Sequence, residues 1–262
     1  MSFSYQQATS LAAAAQAAGQ ADTKILAGGQ SLLGAIKLGL AMPAGLVDLG
    51  GLAELRGIRL ENNEIVIGAM ATHASVAASP EVQRAIPALA ELAGNIGDRQ
   101  VRNRGTLGGS LANNDPAACY PAAVLGLGAT VITDRRQIAA DDFFKGLYET
   151  DLAEGEIIRE VSFPVPSKAG WQKFKQPASR FSIVGVFVAR TASGTRVAVT
   201  GAGPCVFRAT KLEAALAADW SGTAAAKVVI SDEGLNSDLH GSAVYRAALI
   251  PVLAGRAVTA AG

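Results

Sequence analysis

The chain has 262 residues, of which 50% are hydrophobic, 17% are charged and 29 are glycine, with a formal net charge of +1. These figures exclude intrinsic disorder, which needs low hydrophobicity and high net charge, and a nucleic-acid binder, which needs a basic excess. A chain of this length predicts one or two globular domains. The apolar stretches at 11–18 and 124–132 are too short or too glycine-interrupted to span a bilayer, and residues 1–7 lack the basic region of a secretory signal. We therefore expect a cytoplasmic protein with no membrane span.

The two cysteines, Cys119 and Cys205, are typical of reduced thiols in a chain with a core of this size. They form no CxxC motif, and His73 and His240 show no metal-ligand spacing, so we expect no metal site. An iron–sulfur cluster takes about four cysteine ligands. Any such cluster must therefore lie in a partner chain.

The first part of the chain predicts alternating helices and strands. Helices are expected over 8–18 and 32–40, and strands over 23–27 and 46–49. Alternating segments at 56–60 and 64–68 flank Asn62-Asn63 and predict a β-hairpin. Ser79-Pro80 is typical of an N-cap followed by proline, and it predicts a helix that ends near residue 94.

The second part predicts a compact α+β unit. Asp115-Pro116 indicates a helix start, and Pro164 and Pro166 mark the best candidate linker. The remaining expected elements are a helix through Leu125, strands at 129–133 and 157–165, a hairpin of 182–190 and 195–200, and helices at 208–218 and 242–256. A hairpin followed by helices is typical of an α+β arrangement.

Two loops each contain a Gly-Gly pair followed by a serine. They are Ala27-Gly28-Gly29-Gln30-Ser31 and Thr106-Leu107-Gly108-Gly109-Ser110. Glycine lets backbone N–H groups approach an anion closely, and the first loop opens a predicted helix. Two such loops could clamp a pyrophosphate. Two tight turns in a glycine-rich protein would give the same pattern, and spacing alone leaves both interpretations open.

Longer motifs carry a family resemblance. The chain resembles the FAD-binding medium subunit of molybdenum hydroxylases, closest to the carbon monoxide dehydrogenase type within the xanthine dehydrogenase family. The matching segments are 27–32, Leu46-Val47-Asp48-Leu49, 96–112 with Asn113-Asn114-Asp115-Pro116 after it, and 240–246. The resemblance covers nearly the whole chain, and the run from Ile96 to Pro116 is highly specific.

The resemblance implies an α+β fold with a two-subdomain FAD-binding domain of the vanillyl-alcohol-oxidase (PCMH) type. This domain is expected over residues 1–166, with subdomains of about 1–55 and 56–166. A small C-terminal α+β domain, similar to the CO-dehydrogenase flavoprotein C-terminal domain, is expected over residues 167–262.

The resemblance also implies that this chain binds FAD and holds neither a catalytic residue nor a metal. The implied FAD-binding residues are Ala27, Gly28, Gly29, Gln30, Ser31, Leu32, Ile96, Thr106, Leu107, Gly108, Gly109, Ser110, Asn113, Asp115, Cys119, Ile158 and Lys175. A cation at Lys175 would stabilise reduced anionic flavin, and Phe181 lies where the family often has an aromatic side chain near the flavin.

Cys119 departs from the family pattern, which commonly has an aspartate here that bonds the adenosine ribose. A thiol is a weak acceptor. Either Asp115 or a backbone carbonyl replaces that contact, or FAD is held less firmly. From the residues alone, an N-cap before Pro116 is the favoured interpretation of Asp115.

The implied function is electron transfer in a heterotrimeric molybdenum hydroxylase. A small subunit would hold 2Fe-2S clusters, a large subunit would hold the molybdopterin cofactor, and the assembly would be a dimer of heterotrimers. Two alternatives stay open: a self-sufficient flavin oxidase of the same fold, and a non-catalytic nucleotide-binding module. The holoenzyme substrate, whether carbon monoxide, an aldehyde, a purine or an N-heterocycle, and the final electron acceptor cannot be assigned from this chain.

Overall fold

A computed structural model describes residues 3–262. Its first sheet has three parallel strands in the order β1-β3-β2. The elements here are β1 (Ser4–Gln7), α1 (Leu11–Ala18), β2 (Thr23–Leu26), α2 (Leu32–Lys37), β3 (Gly45–Asp48) and a 3-10 turn at Ala53–Leu55. Helix α1 begins later than predicted because Ser10 is its N-cap and accepts a hydrogen bond from the Ala13 N–H at 3.1 Å. The first two residues of the predicted FAD-binding domain lie outside the described residues.

The second sheet has five antiparallel strands in the order β4-β5-β10-β6-β7. Its strands are β4 (Ile58–Glu61), β5 (Glu64–Gly68), β6 (Thr130–Thr133), β7 (Gln137–Ala139) and β10 (Ile158–Pro164). Between β5 and β6 lie α3 (His73–Ala78), α4 (Pro80–Ala85), α5 (Pro87–Gly94), α6 (Arg99–Arg104), α7 (Leu107–Asn113) and α8 (Tyr120–Leu127). Between β7 and β10 lie α9 (Ala140–Phe143), β8 (Phe144–Gly146) and β9 (Glu149–Thr150).

Some predicted elements in this region are confirmed and others are wrong. The β4–β5 hairpin is confirmed, and it turns at Asn62 and Asn63, whose φ angles are 50° and 61°. The predicted single helix ending near residue 94 is two helices, because Pro87 cannot continue α4 and instead begins α5. The predicted helix start at Asp115 is a turn, since its Oδ1 accepts a hydrogen bond from the Ala117 N–H at 2.8 Å.

The third sheet has four antiparallel strands in chain order: β11 (Lys168–Lys175), β12 (Ser182–Thr191), β13 (Gly194–Thr200) and β14 (Phe207–Arg208). The helices that follow are α10 (Thr210–Ala218), α11 (Gly222–Ala226) and α12 (Ala243–Ala261). Helix α12 is long and apolar enough to cross a membrane by length and composition. Half of its apolar stretch is buried, however, and it packs against β11 and β12. This is the arrangement of a core helix.

The buried apolar side chains form three groups. The largest joins the five-stranded sheet, its helices and one face of the C-terminal sheet, and it includes Val124, Phe163 and Phe187. The second lies between the other face of the C-terminal sheet and α10–α12, and the third packs the three-stranded sheet against α1. Because the largest core contains residues on both sides of position 166, the domain division at that position stays a prediction.

Candidate functional site

A cavity of about 960 Å³ opens where the three-stranded sheet, helices α6 and α7 and the C-terminal sheet meet. Pockets for small molecules usually measure roughly 300 to 1,000 Å³, so this one suits a large ligand. Most of the residues that the sequence predicted for FAD line it. They are Ala27, Gly28, Gly29, Gln30, Ser31, Leu32, Ile96, Thr106, Gly108, Gly109, Ser110, Asn113, Asp115, Cys119 and Ile158.

The first Gly-Gly loop offers a row of free backbone donors. It joins β2 to α2, and Gly29 has a φ of 74°, which favours glycine. Within the described part of the chain, the N–H groups of residues 28–32 have no acceptor, and neither has the Ser31 hydroxyl. Successive free N–H groups in a turn form an anion-binding concavity. This loop can therefore bind a phosphate-like group.

The second Gly-Gly pair has a different role from the one predicted. It lies in the first turn of α7, where the Gly108 N–H donates to the Ala69 carbonyl at 2.8 Å and the Gly109 N–H donates to Thr106 Oγ1 at 3.2 Å. A Cβ on Gly108 would stand 2.6 Å from the Ala69 Cβ, so the glycine is needed for packing. Instead, the Ser110 hydroxyl and the Asn113 side-chain amide of this segment face the cavity. Neither group has a hydrogen-bond partner among residues 3–262.

The two loops touch each other. A Cβ on Gly28 would stand 2.0 Å from the Arg104 carbonyl oxygen and 2.9 Å from the Gly105 Cα. On the other side, a Cβ on Gly109 would stand 3.5 Å from the Ala27 Cβ. This contact places the free donors of the first loop beside the polar side chains of α7. The cavity thus has one wall from each loop.

Two predicted FAD-binding residues lie outside the cavity lining. Leu107 is fully buried in the largest core, and its N–H donates to the Ala71 carbonyl. Lys175 is exposed, because a β-bulge between Phe174 and Lys175 interrupts the alternation of β11. Two lysines line the cavity, Lys24 and Lys173, and Lys173 lies two residues before Lys175 on the same strand.

Lys173 lies beside the thiol that departs from the family pattern. Its Nζ donates to the Asn95 carbonyl at 2.9 Å and lies 3.4 Å from the Sγ of Cys119, which is 5% exposed. No carboxylate pairs with this ammonium among the described residues. Its positive charge is therefore available to a ligand.

Asp115 is held by its neighbours rather than by a helix end. Its Oδ1 accepts from Ala117 and its Oδ2 accepts from the Tyr148 hydroxyl at 3.3 Å. Tyr148 also lines the cavity and is strained, with a φ of 55°. The carboxylate therefore keeps a fixed orientation at the cavity wall.

A buried carboxylate, paired with a partly exposed arginine, supports the wall near Ile158. Glu156 lines the cavity, and burial opposes its charge, but Arg136, the Ala153 N–H and the Thr133 hydroxyl bond its carboxylate and hold its pKa at about 2. All of these bonds are at 2.7 to 3.0 Å. Glu156 is therefore a structural anion whose oxygens are already satisfied.

Three further residues line the cavity that were not predicted to bind FAD: His73, Glu156 and Lys173. His73 is 5% exposed, and burial together with the nearby Arg102 lowers its pKa to about 4. The partner of Glu156 is twenty residues away in sequence, and Lys173 is one of three lysines on one strand. Only the folded chain brings these side chains to the cavity.

The lining as a whole fits FAD. A diphosphate suits the free N–H groups of residues 28–32 together with Ser110 and Asn113. Apolar side chains suit the ring systems, and Ile96, Ile158 and Phe181 all line the cavity. Phe181 is 51% exposed, which places it at the mouth.

Comparison with known proteins agrees with this fit. Residues 1–166 match the protein family described as the FAD binding domain in molybdopterin dehydrogenase. The chain is 36% identical to the carbon monoxide dehydrogenase medium chain of Hydrogenophaga pseudoflava, over 99% of this chain and 96% of that relative. It is 36% identical to the nicotine 6-hydroxylase medium subunit of Paenarthrobacter nicotinovorans, over 92% of this chain and 90% of that relative. A solved structure of carbon monoxide dehydrogenase from Hydrogenophaga pseudoflava matches all of this chain and 97% of its own, with a TM-score of 0.87 and 35% identity.

The chain belongs to the family of FAD-binding medium subunits of molybdenum hydroxylases. The expected fold class, an α+β fold with a PCMH-type FAD-binding domain, is confirmed. So are the expectations of an oxidoreductase subunit, of FAD in this chain and of other cofactors in partner subunits. Relatives are medium chains of complexes that also have small and large subunits.

Proposed function

We propose that this chain carries FAD between the 2Fe-2S clusters of a small partner subunit and an external electron acceptor. A large partner subunit with molybdopterin would oxidise the substrate, in a dimer of heterotrimers. The observation that carries this proposal is the row of free N–H groups at residues 28–32, held against the second loop in a cavity of suitable size. When bound, FAD supplies the redox chemistry, and the protein positions and tunes it.

The chain's own residues bind and orient the cofactor in this proposal. The backbone of residues 28–32 donates to the diphosphate, and the Ser110 hydroxyl and Asn113 amide bind it from the opposite wall. Asp115 replaces the missing aspartate, because its carboxylate lines the cavity close to the position where Cys119 offers only a weak acceptor. Lys173 supplies the positive charge that the sequence had placed at Lys175.

The electrons must reach this chain from outside. Its two cysteines are free, and two thiols cannot supply the roughly four ligands of a 2Fe-2S cluster. The residues that select the substrate would then belong to the large partner. We place the FAD-binding domain at 1–166, its subdomains at about 1–55 and 56–166, the C-terminal domain at 167–262, and the whole complex in the cytoplasm.

The visible spectrum of the purified full chain tests this function. We expect the absorption bands of an oxidised flavin, extractable FAD close to one per chain, and capture of one iron–sulfur and one molybdenum subunit in a pull-down. A colourless chain that takes up no added FAD would instead favour a non-catalytic module. A yellow chain that oxidises a substrate by itself would favour a self-sufficient flavin oxidase.

A further inference from the structure

His73 is a buried imidazole at the point where the two loops meet. His73 is the first residue of α3, and its backbone N–H donates to the Gly105 carbonyl at 2.9 Å. Thr72 and Thr106 form an isolated antiparallel bridge beside it. The side chain is 5% exposed, stacks at a tilt on the buried ring of Tyr120 with centroids 5.3 Å apart, and lines the same cavity as Gly28 and Gly105.

Gly105 packs directly against this imidazole. Its φ and ψ of −60° and 141° suit any residue, so its conformation does not require glycine. A Cβ at this position, however, would stand 2.5 Å from His73 Nε2 and 2.9 Å from Cδ2. Gly105 therefore leaves room for the Nε2 edge of the ring, and the same glycine contacts Gly28 at the start of the free donors.

The ring has one proton and no partner for it. Because burial and Arg102 lower the pKa of His73 to about 4, the imidazole is neutral at pH 7. Nδ1 is buried without a hydrogen bond, whereas Nε2 is not fully buried and bonds no group within residues 3–262. A buried N–H without an acceptor costs more than an unused lone pair beside an apolar ring, so the proton belongs on Nε2, on the side of the loop. This is a donor without an acceptor at the wall of an anion site.

We propose that the Nε2–H of His73 donates a hydrogen bond to a phosphate oxygen of bound FAD, which makes His73 a cofactor-binding residue. This inference rests on the proposed function, because it needs FAD in the cavity. The backbone donors of residues 28–32 and the His73 imidazole line the same cavity, and Gly105 lies between Gly28 and the ring, so both could donate to one phosphate group. Gly105 and His73 thus act as a pair.

The experiment measures FAD affinity of the full chain after removal of flavin, by fluorescence quenching. His73→Leu should weaken FAD binding about tenfold or more, as expected for a lost hydrogen bond to a charged group. His73→Gln keeps a donor and should stay within about threefold of the wild type. Gly105→Ala should weaken binding like His73→Leu, because its Cβ displaces the ring. The matched control is His240→Leu, since His240 is exposed and lies outside the cavity lining.

A measurement on the wild-type chain covers the case in which a variant fails to fold. The ¹⁵N signals of the two histidines, recorded during FAD titration, should show a proton on His73 Nε2 and a shift of that signal on binding, with His240 unchanged. Equal FAD affinity of the wild type and His73→Leu, or a His73 signal that does not move while FAD binds, would overturn the inference and leave the proposed function intact. A wild-type chain that binds no FAD would overturn both.

Discussion

The backbone of Gly28 lies against that of Arg104 so closely that a Cβ on Gly28 would stand 2.0 Å from the Arg104 carbonyl oxygen. This contact joins the loop that supplies free N–H groups to the segment that leads into α7. The glycine is therefore required by the approach of one loop to the other. The ligand then meets a site whose two walls are already assembled.

Gly28→Ala should separate the two loops and reduce FAD affinity by about a hundredfold, while overpacking lowers the free energy of unfolding by only about 1–3 kcal/mol. Equilibrium FAD titration and urea unfolding of the flavin-free chain measure the two effects. Gly34→Ala is the control, because nothing lies within 4 Å of a Cβ there. Stoichiometric FAD in Gly28→Ala would show that the loop contact is not needed for binding.

Gly109→Val should lose FAD before it loses its fold. A Cβ on Gly109 would stand 2.8 Å from Thr106 Oγ1, the N-cap of α7, so part of the loss is that of a cap, about 1 kcal/mol. Thr106→Ala removes the same cap without adding atoms beside the first loop. We expect similar unfolding free energies for the two variants and much weaker FAD binding for Gly109→Val. Equal FAD affinities would mean that the site responds only to the cap.

Lys173→Met should weaken FAD binding by about tenfold, because it removes a positive charge without a carboxylate partner from the cavity wall. Lys175→Met should have little effect, because that side chain is exposed beyond the bulge. Isothermal titration of both flavin-free variants with FAD separates them. The reverse order would restore Lys175 as the flavin-site cation and contradict the assignment to Lys173.

Stability of the flavin-free chain should fall between pH 6.5 and 4, and part of this fall belongs to His73. Its pKa is about 4 in the folded chain, below the ordinary value of 6.5, chiefly because of burial. The unfolded chain therefore binds more protons in this window. As the pH is lowered from 6.5 to 4, the free energy of unfolding falls by up to about 3 kcal/mol. Urea unfolding of His73→Gln across this range should show a smaller fall. The same slope in His73→Gln and the wild type would place the titration elsewhere.

Below pH 4.5, acid should also remove the contribution of the Glu156 carboxylate to the free energy of unfolding. The pKa of Glu156 is held at about 2, below its ordinary 4.5, so its stabilisation is present above pH 4.5 and is lost as the pH falls toward 2. Glu156→Gln should lower the free energy of unfolding at pH 7, because Arg136 loses its buried partner. At pH 2 the difference from the wild type should be small. A pH-independent difference would indicate lost packing instead of lost charge.

Local sequence signals predicted the parts of the fold that depend on local chemistry. The left-handed pair Asn62-Asn63 marked its hairpin, and Ser79-Pro80 marked the start of α4. The spacing of the first Gly-Gly loop left an anion site and a tight turn both open, and its N–H groups are free. At the hairpin and at the start of α4, the residue types alone select the backbone conformation.

Other features depend on contacts that no local pattern contains. Position 108 requires glycine because Ala69, nearly forty residues earlier, packs against it. The bulge that exposes Lys175 is set by pairing with β12. The bridge between Thr72 and Thr106 brings the neighbouring His73 to the cavity. The family resemblance predicted the cofactor and its main loops, but it could not show which donors the fold already satisfies.

Delivery of electrons by a partner subunit is best tested by the flavin absorbance of the FAD-loaded chain under anaerobic conditions, with the substrate of the holoenzyme present. We expect the bands to persist in the isolated chain and to bleach when the reduced iron–sulfur partner is added. Rapid bleaching of the isolated chain by substrate would show that the electrons need no partner subunit and that the chain is not an electron-transfer subunit of this kind.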